Sequence, residues 1–195
     1  IARQIKQLHD AGQPVLAGTR SIAKSELLAE RLADLSIPFE LLNGKQNADE
    51  AEVIARAGEV GAVIISTNIA GRGTDIRLSA DSLQRGGLCV LATEHHESSR
   101  IDRQLVGRAA RQGEPGVGAF FLAADDDLLT RHGEWLSRAI RKSKAIKGEV
   151  AVDMSSSVHK VQLQAERSQF LQRRALFLDD GRRDVVMSRI NGEAS

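Results

Sequence analysis

Four short runs of uninterrupted apolar residues constrain this chain more than anything else in it. Val15-Leu-Ala17, Ala62-Val-Ile-Ile65, Leu88 to Ala92 and Val117 to Ala123 read as strands with no polar face. A strand that is apolar throughout has to be covered on both sides. Stretches of helical spacing separate the runs. The expected fold class is therefore α/β, a parallel sheet with helices on both faces. Ligands of such sheets bind beyond the carboxyl ends of the strands.

Local signals fill in the order of elements. Thr19 and Ser21 are good helix-capping residues. Leu28, Leu32 and Leu35 recur at helical spacing, and Pro38 ends that helix before a strand from Phe39 to Leu42. Asn47-Ala-Asp-Glu50 resembles a capping box that opens a helix to about Ala57. The pattern changes after residue 140. Arg141 to Lys147 is a basic stretch, which reads as a solvated connector. Ser155-Ser-Ser157 then opens a helix to about Asp180, interrupted by Gly181. Leu163, Phe170 and Phe177 form an apolar stripe along it with Leu171 and Leu178, so it is expected to pack on something. The expected domains are 1–140, a linker over 141–154 and a helical segment over 155–195.

Composition is that of a soluble globular protein, 42% hydrophobic and 27% charged, and the net charge of +1 makes no case for a nucleic-acid or membrane surface. No apolar run is long enough to span a bilayer, and no signal peptide is expected. The single cysteine, Cys89, lies in an apolar strand and reads as a buried thiol; it excludes an internal disulfide, which fits a reducing compartment. Ile1 opens directly in a helical pattern, so the chain is expected to be a piece of something longer.

Three segments carry chemistry. Gly18-Thr-Arg-Ser-Ile-Ala-Lys-Ser-Glu26 follows a strand and opens a helix, a general anion or partner site. Ser66-Thr-Asn-Ile-Ala-Gly-Arg-Gly-Thr-Asp-Ile76 combines two glycines that permit close backbone approach with Arg72 and Asp75. Asp75 can accept a hydrogen bond from a ribose or from an arginine across a cleft; alone it also reads as a turn aspartate. Gln104-Leu-Val-Gly-Arg-Ala-Ala-Arg-Gln-Gly-Glu-Pro-Gly116 sets Arg108 and Arg111 three residues apart, on one helix face if the helix continues. Two such forks suit a phosphoryl-transfer transition state; ion pairing with Asp102 or Glu114 is the competing reading. Glu94-His-His-Glu97 lacks the i, i+4 spacing of a helical zinc pair, and no metal site is expected. Asp125-Asp-Asp127 reads as an acidic helix start, and Trp135 as a packing anchor.

Taken together and in this order, the three segments resemble motifs IV, V and VI of superfamily 2 helicase-type motors, and more closely the second nucleotide-binding lobe of the SecA preprotein translocase family. Thr93 to Asp102 resembles the segment leading into motif VI, and Phe120 to Leu129 the sheet-exit segment. The likeness is strong over residues 14–135 and looser over 155–185, which resembles the start of that family's helical scaffold. It departs inside motif VI: Val106 stands where the family usually has Arg, and Ala109 and Ala110 where it has Ser and Gly. The loss of a glycine beside the arginines bears on their geometry.

The resemblance implies a RecA-like second motor lobe followed by a partial scaffold. It implies that Arg108 and Arg111 are arginine fingers for ATP held on another lobe, with Asp75, Gly73, Arg72 and Gln104 around the nucleotide. A Gly-x-x-x-x-Gly-Lys-Ser/Thr loop and an acidic magnesium motif do not occur, Gly44-Lys45 being the nearest approach. ATP and Mg2+ would then be held by a first lobe, and the fragment alone is expected to be inactive. The implied partners are that lobe, a preprotein-binding domain, a Sec-type membrane channel, unfolded preprotein and a second copy of the chain. The implied place is the cytoplasm, peripheral to the inner membrane. A second lobe of a nucleic-acid helicase and a non-hydrolysing regulatory lobe are the alternatives; Leu105, where helicases usually have Arg, favours the translocase.

Overall fold

The computed structural model describes residues 1–42, 50–67, 75–145, 149–150 and 152–192. Its contacts divide the chain into two compact units, Ile1–Asp126 and Asp127–Ser195.

The first unit is a five-stranded parallel sheet. In chain order it comprises α1 (Ala2–Asp10), β1 (Val15–Thr19), α2 (Ile22–Asp34), β2 (Glu40–Leu42), α3 (Glu50–Arg56), β3 (Val63–Thr67), α4 (Ala80–Gln84), β4 (Leu88–Ala92), α5 (Ser99–Val106) and β5 (Gly116–Phe120). The spatial order is β2-β3-β1-β4-β5. β1 lies at the centre, with Val15 beside Val63 on one side and beside Cys89 on the other. Both faces are covered at the central strands β1, β3 and β4, as their apolar runs require, whereas the edge strand β5 leaves Val117 half exposed. Alternate side chains divide between the two faces. Leu16, Ile64, Val90 and Ala92 pack with Val53, Ile54, Leu105 and Ala109, under α3 and α5. Val15, Ala17, Ile65 and Leu91 pack with Ile5, Leu28 and Leu32, under α1 and α2. Cys89 is buried on that second side, and burial raises its thiol pKa.

Strand bounds shift from the sequence expectation. β3 runs on to Thr67, β2 starts at Glu40, and β5 ends at Phe120 rather than Ala123. Apolar runs mark what is buried, whereas a strand lasts only as long as its neighbour offers a ladder. Ala92 is the last β4 residue to pair with β5, opposite Phe120. α2 begins as read: Ser21 accepts a hydrogen bond from the Lys24 amide at 3.2 Å. The expected capping box over Asn47 to Glu50 lies largely outside the described residues, and α3 is described from Glu50.

The second unit holds α6 (Asp127–His132), α7 (Glu134–Lys142) and α8 (Ser155–Gly192). α6 packs on both α7 and α8. Leu128, Leu129 and Leu136 are buried together with Val158, Val161 and Ala165 of α8. Gly133 permits the approach: a Cβ there would sit 2.7 Å from a Val161 methyl. Three expectations change here. α8 continues through Gly181, because a helical glycine costs only about 1 kcal/mol against alanine and the turns on either side carry the helix across. The stripe of Leu163, Phe170, Leu171, Phe177 and Leu178 is exposed, and the packed face is the one carrying Val158, Val161 and Ala165. Trp135 is 48% exposed, because α7 turns Leu136 and Ser137 inward instead. Asp127 stands in the first turn of α6, as the acidic reading expects. No helix among the described residues is long and apolar enough to cross a membrane.

Candidate functional site

Of the segments singled out in the sequence, the first leaves the carboxyl end of β1 and the second begins in β3, whereas the third runs from α5 to the amino end of β5, where Gly116 lies opposite Leu88 of β4. After β1, Ser21 takes the Lys24 amide, so that donor at the N-terminus of α2 is occupied from within. The cations of this turn pair with a buried carboxylate. Glu94, beyond the end of β4, is 2% exposed. Lys24 lies 2.8 Å and Arg20 3.7 Å from its carboxylate. These are ion pairs outside hydrogen-bond geometry. Asp126 is also buried, and accepts a hydrogen bond from the Ala123 amide at 2.8 Å. Burial, and then the charge of Glu94, raise its pKa against the lowering effect of that amide.

The first turn of α5 carries a third buried carboxylate. Asp102 Oδ2 accepts from His95 Nδ1 at 2.7 Å. Its Oδ1 accepts from His96 Nδ1 at 2.8 Å and from the His96 amide at 2.9 Å. Burial pushes the Asp102 carboxyl up, but the hydrogen bonds of the two histidines together outweigh it and hold the pKa at about 2. The His95 ring also stacks on Phe120 of β5, with centroids 4.3 Å apart. The adjacent histidines were weighed in the sequence only against a zinc spacing. Their carboxylate partner six and seven residues ahead, one turn into the next helix, was the signal available.

α5 leads from this clamp to the arginines and is held close to the sheet. A Cβ on Gly18 of β1 would stand 2.5 Å from a Leu105 methyl, and one on Gly118 of β5 2.9 Å from Val106. Val106 therefore leans on β5. Gln104 is exposed on α5.

The helix stops at Val106, with Gly107 as its C-cap. Arg108 and Arg111 consequently do not share a helix face, contrary to the sequence expectation. Arg108 comes before a chain reversal and Arg111 after it. The reversal is made at Ala110, whose backbone is left-handed (φ 53°, ψ 37°), and a 3-10 turn follows over Arg111–Gly113. A left-handed alanine costs about 1–2 kcal/mol, because its Cβ crowds the following carbonyl. Its neighbour Ala109 is buried in the core.

The reversal brings Arg111 to Asp75. Arg111 Nη1 donates to Asp75 Oδ1 at 2.7 Å, and its Nε donates to the Gly107 carbonyl at 3.2 Å. Neither Asp102 nor Glu114 is the partner in this Arg111 ion pair, which spans 36 residues of sequence. Arg108 is half-buried beside Leu16, Ser66, Thr67 and Leu105. Burial and the charge of Arg111 both lower its pKa. An open cleft of about 330 Å³ lies alongside, lined by Asp75, Ile76, Arg77, Leu78, Arg111 and Glu114. The structure thus brings Asp75 and Arg111 into contact. Arg72 and Gly73 lie outside the described residues. No group of three His, Cys, Asp or Glu side chains suited to a metal ion occurs among the described residues.

Comparison with known proteins gives the family and the fold. The family model of the SecA P-loop domain matches residues 1–84 and 79–148. The chain is 58% identical over 129 residues to protein translocase subunit SecA 2 of Bordetella avium, a match covering 66% of this chain and 20% of that protein. It is 45% identical over 183 residues to protein translocase subunit SecA of Thermosipho melanesiensis, covering 92% of this chain and 22% of that protein. The chain thus spans about a fifth of the length of these relatives. Among solved structures, the E. coli DEAD-box protein SrmB superimposes with a TM-score of 0.53 at 23% identity, covering 78% of this chain and 87% of that one. That likeness establishes the fold, a RecA-like parallel sheet, and nothing finer. With most of its length matched by the family model, the chain belongs to the SecA family.

Proposed function

We propose that this chain is the second motor lobe of a SecA-type ATPase that drives preproteins through a membrane channel, and that it supplies the arginine fingers. The observation that carries the reading is the Arg111–Asp75 pair, with Arg108 half-buried beside it, next to the α5 side of a RecA-like sheet. Arg111 is 37% exposed at its side chain and Asp75 52%, so the pair opens to the cleft and water screens it. Such a pair is easily exchanged: an incoming phosphate competes with Asp75 for the same fork. Arg108 already sits where burial and a like charge disfavour its own charge. A phosphate oxygen would relieve both costs.

The mechanism follows from these two cations. In phosphoryl transfer, charge spreads over the three equatorial oxygens of the transferred group, and forks fixed around that position stabilise the transition state more than the ground state. ATP with Mg2+, held on the first lobe, supplies the phosphoryl group. Arg108 and Arg111 then meet the γ-phosphate, while Asp75 orients Arg111 or accepts from the nucleotide. Gln104, Arg72 and Gly73 are assigned to the rim of the same cleft. We assign residues 1–140 to the lobe, 141–154 to a linker and 155–195 to the start of a helical scaffold. The partners proposed are the first lobe, a preprotein-binding domain, a Sec-type channel at the cytoplasmic face of the inner membrane and unfolded preprotein. The helicase alternative has only the fold likeness behind it, and the net charge of +1 does not favour it.

The test is ATP turnover by the full-length protein. Arg108→Ala and Arg111→Ala are each expected to lower kcat by about 10³ or more. The present chain alone is expected to show no turnover. Unchanged kcat in both variants would remove the finger assignment.

A further inference from the structure

We propose that Ala110 is a positioning residue for the arginine pair, a proposal that rests on reading Arg108 and Arg111 as fingers. Ala110 is exposed, so burial of its methyl group does not explain its place. Its backbone does the positioning. The left-handed turn at φ 53° is the point where the chain reverses between the two arginines. Everything on either side of it is anchored. Ala109 is buried in the core under α5. Gly116, the first residue of β5, is so close that a Cβ on it would meet the Ala110 nitrogen at 2.5 Å. Arg111 is tied back to the Gly107 carbonyl and across to Asp75.

A right-handed Ala110 would redirect the chain that follows, and Arg111 would lose both of its contacts. The separation and relative direction of the two guanidiniums are therefore decided at one peptide, and by a residue type that resists the required conformation. Glycine adopts it freely and asparagine tolerates it, whereas a β-branched side chain strongly disfavours it. The tolerance of residue 110 for the left-handed state sets how much of the time the pair is in register. Misplacement of a catalytic group by about 1 Å is enough to cost roughly 10²-fold in rate.

The experiment is a substitution series in the full-length protein, Ala110→Gly, Ala110→Asn and Ala110→Val. Steady-state ATPase is measured well below each variant's own melting temperature, beside Arg108→Ala and Arg111→Ala. Ala110→Val is expected to lower kcat by about tenfold or more with KM for ATP within about twofold, the signature of an interaction made in the transition state. Ala110→Gly and Ala110→Asn are expected to raise kcat above the parent value. A role in stability alone would move the melting temperature and leave kcat unchanged, and that result would overturn the proposal. Should the valine variant not fold, the glycine and asparagine variants decide: a kcat above the parent value in both supports the proposal, and a kcat at or below it in either overturns it. Unchanged turnover in both arginine variants would remove the finger reading and this proposal with it. Lost turnover in the arginine variants, with a flat series at residue 110, would remove this proposal alone.

Discussion

Asp102 is buried on α5 and accepts three hydrogen bonds from the two residues ahead of the helix. Its pKa falls from an ordinary 3.8 to about 2, so the charged form is the one the fold favours. The stabilisation is fully present above about pH 4 and is lost as the pH falls towards about 2, amounting to roughly 2 kcal/mol. We expect the urea midpoint of the chain, followed by far-UV circular dichroism, to drop across that window. Asp102→Asn should flatten this acid limb and cost roughly 2–4 kcal/mol at neutral pH, because its amide turns a donor towards one histidine N–H and leaves a buried group unpaired. An unchanged acid limb in the variant would show that another group titrates there. At this scale the sequence is a mixed guide. The Ser21 cap was legible, because capping is a contact over three residues. The His95–Asp102–His96 clamp was not, because its spacing matches no short-range rule.

α5 connects that clamp to the arginine turn, and its position is set by two glycines on neighbouring strands. Gly18 lets Leu105 onto β1, and Gly118 lets Val106 onto β5. Gly18→Ala places a methyl 2.5 Å from a Leu105 methyl and is expected to destabilise by about 1–3 kcal/mol through overpacking. Leu105→Ala in the same chain should recover part of that loss, and the coupling energy from the double-mutant cycle is the measurement. Additive losses would mean that the helix does not lie where the structure has it. Three of the four apolar runs, those of β1, β3 and β4, mark strands because burial on both faces leaves its mark in composition; the fourth is an edge strand whose Val117 is half exposed. The end of α5 was not legible: a helix was allowed to run through Gly107 to Arg111, whereas the chain caps at Gly107 and reverses at Ala110. Helix propensity is a weak local preference, and packing of Ala109 into the core overrides it.

The whole chain spans about a fifth of its relatives, and one long helix carries apolar residues into solvent. Leu163, Phe170, Leu171 and Phe177 of α8 are all more than half exposed. A contiguous apolar surface of this kind drives association. The isolated chain is expected to sediment as a concentration-dependent dimer or larger species, and Phe170→Glu with Phe177→Glu to shift it towards monomer. Monomeric sedimentation of the parent chain at high concentration would refute this. The sequence by itself determined the α/β class, the order of elements and the family, because each is written in local burial patterns and contiguous motifs. Tertiary structure alone decided that Arg111 meets Asp75 across 36 residues, that Lys24 and Arg20 face Glu94, and that the two arginines flank a left-handed alanine instead of sharing a helix. The reason is physical. Those contacts depend on which strands lie side by side, and strand order comes from packing of the whole sheet, beyond the reach of any local window.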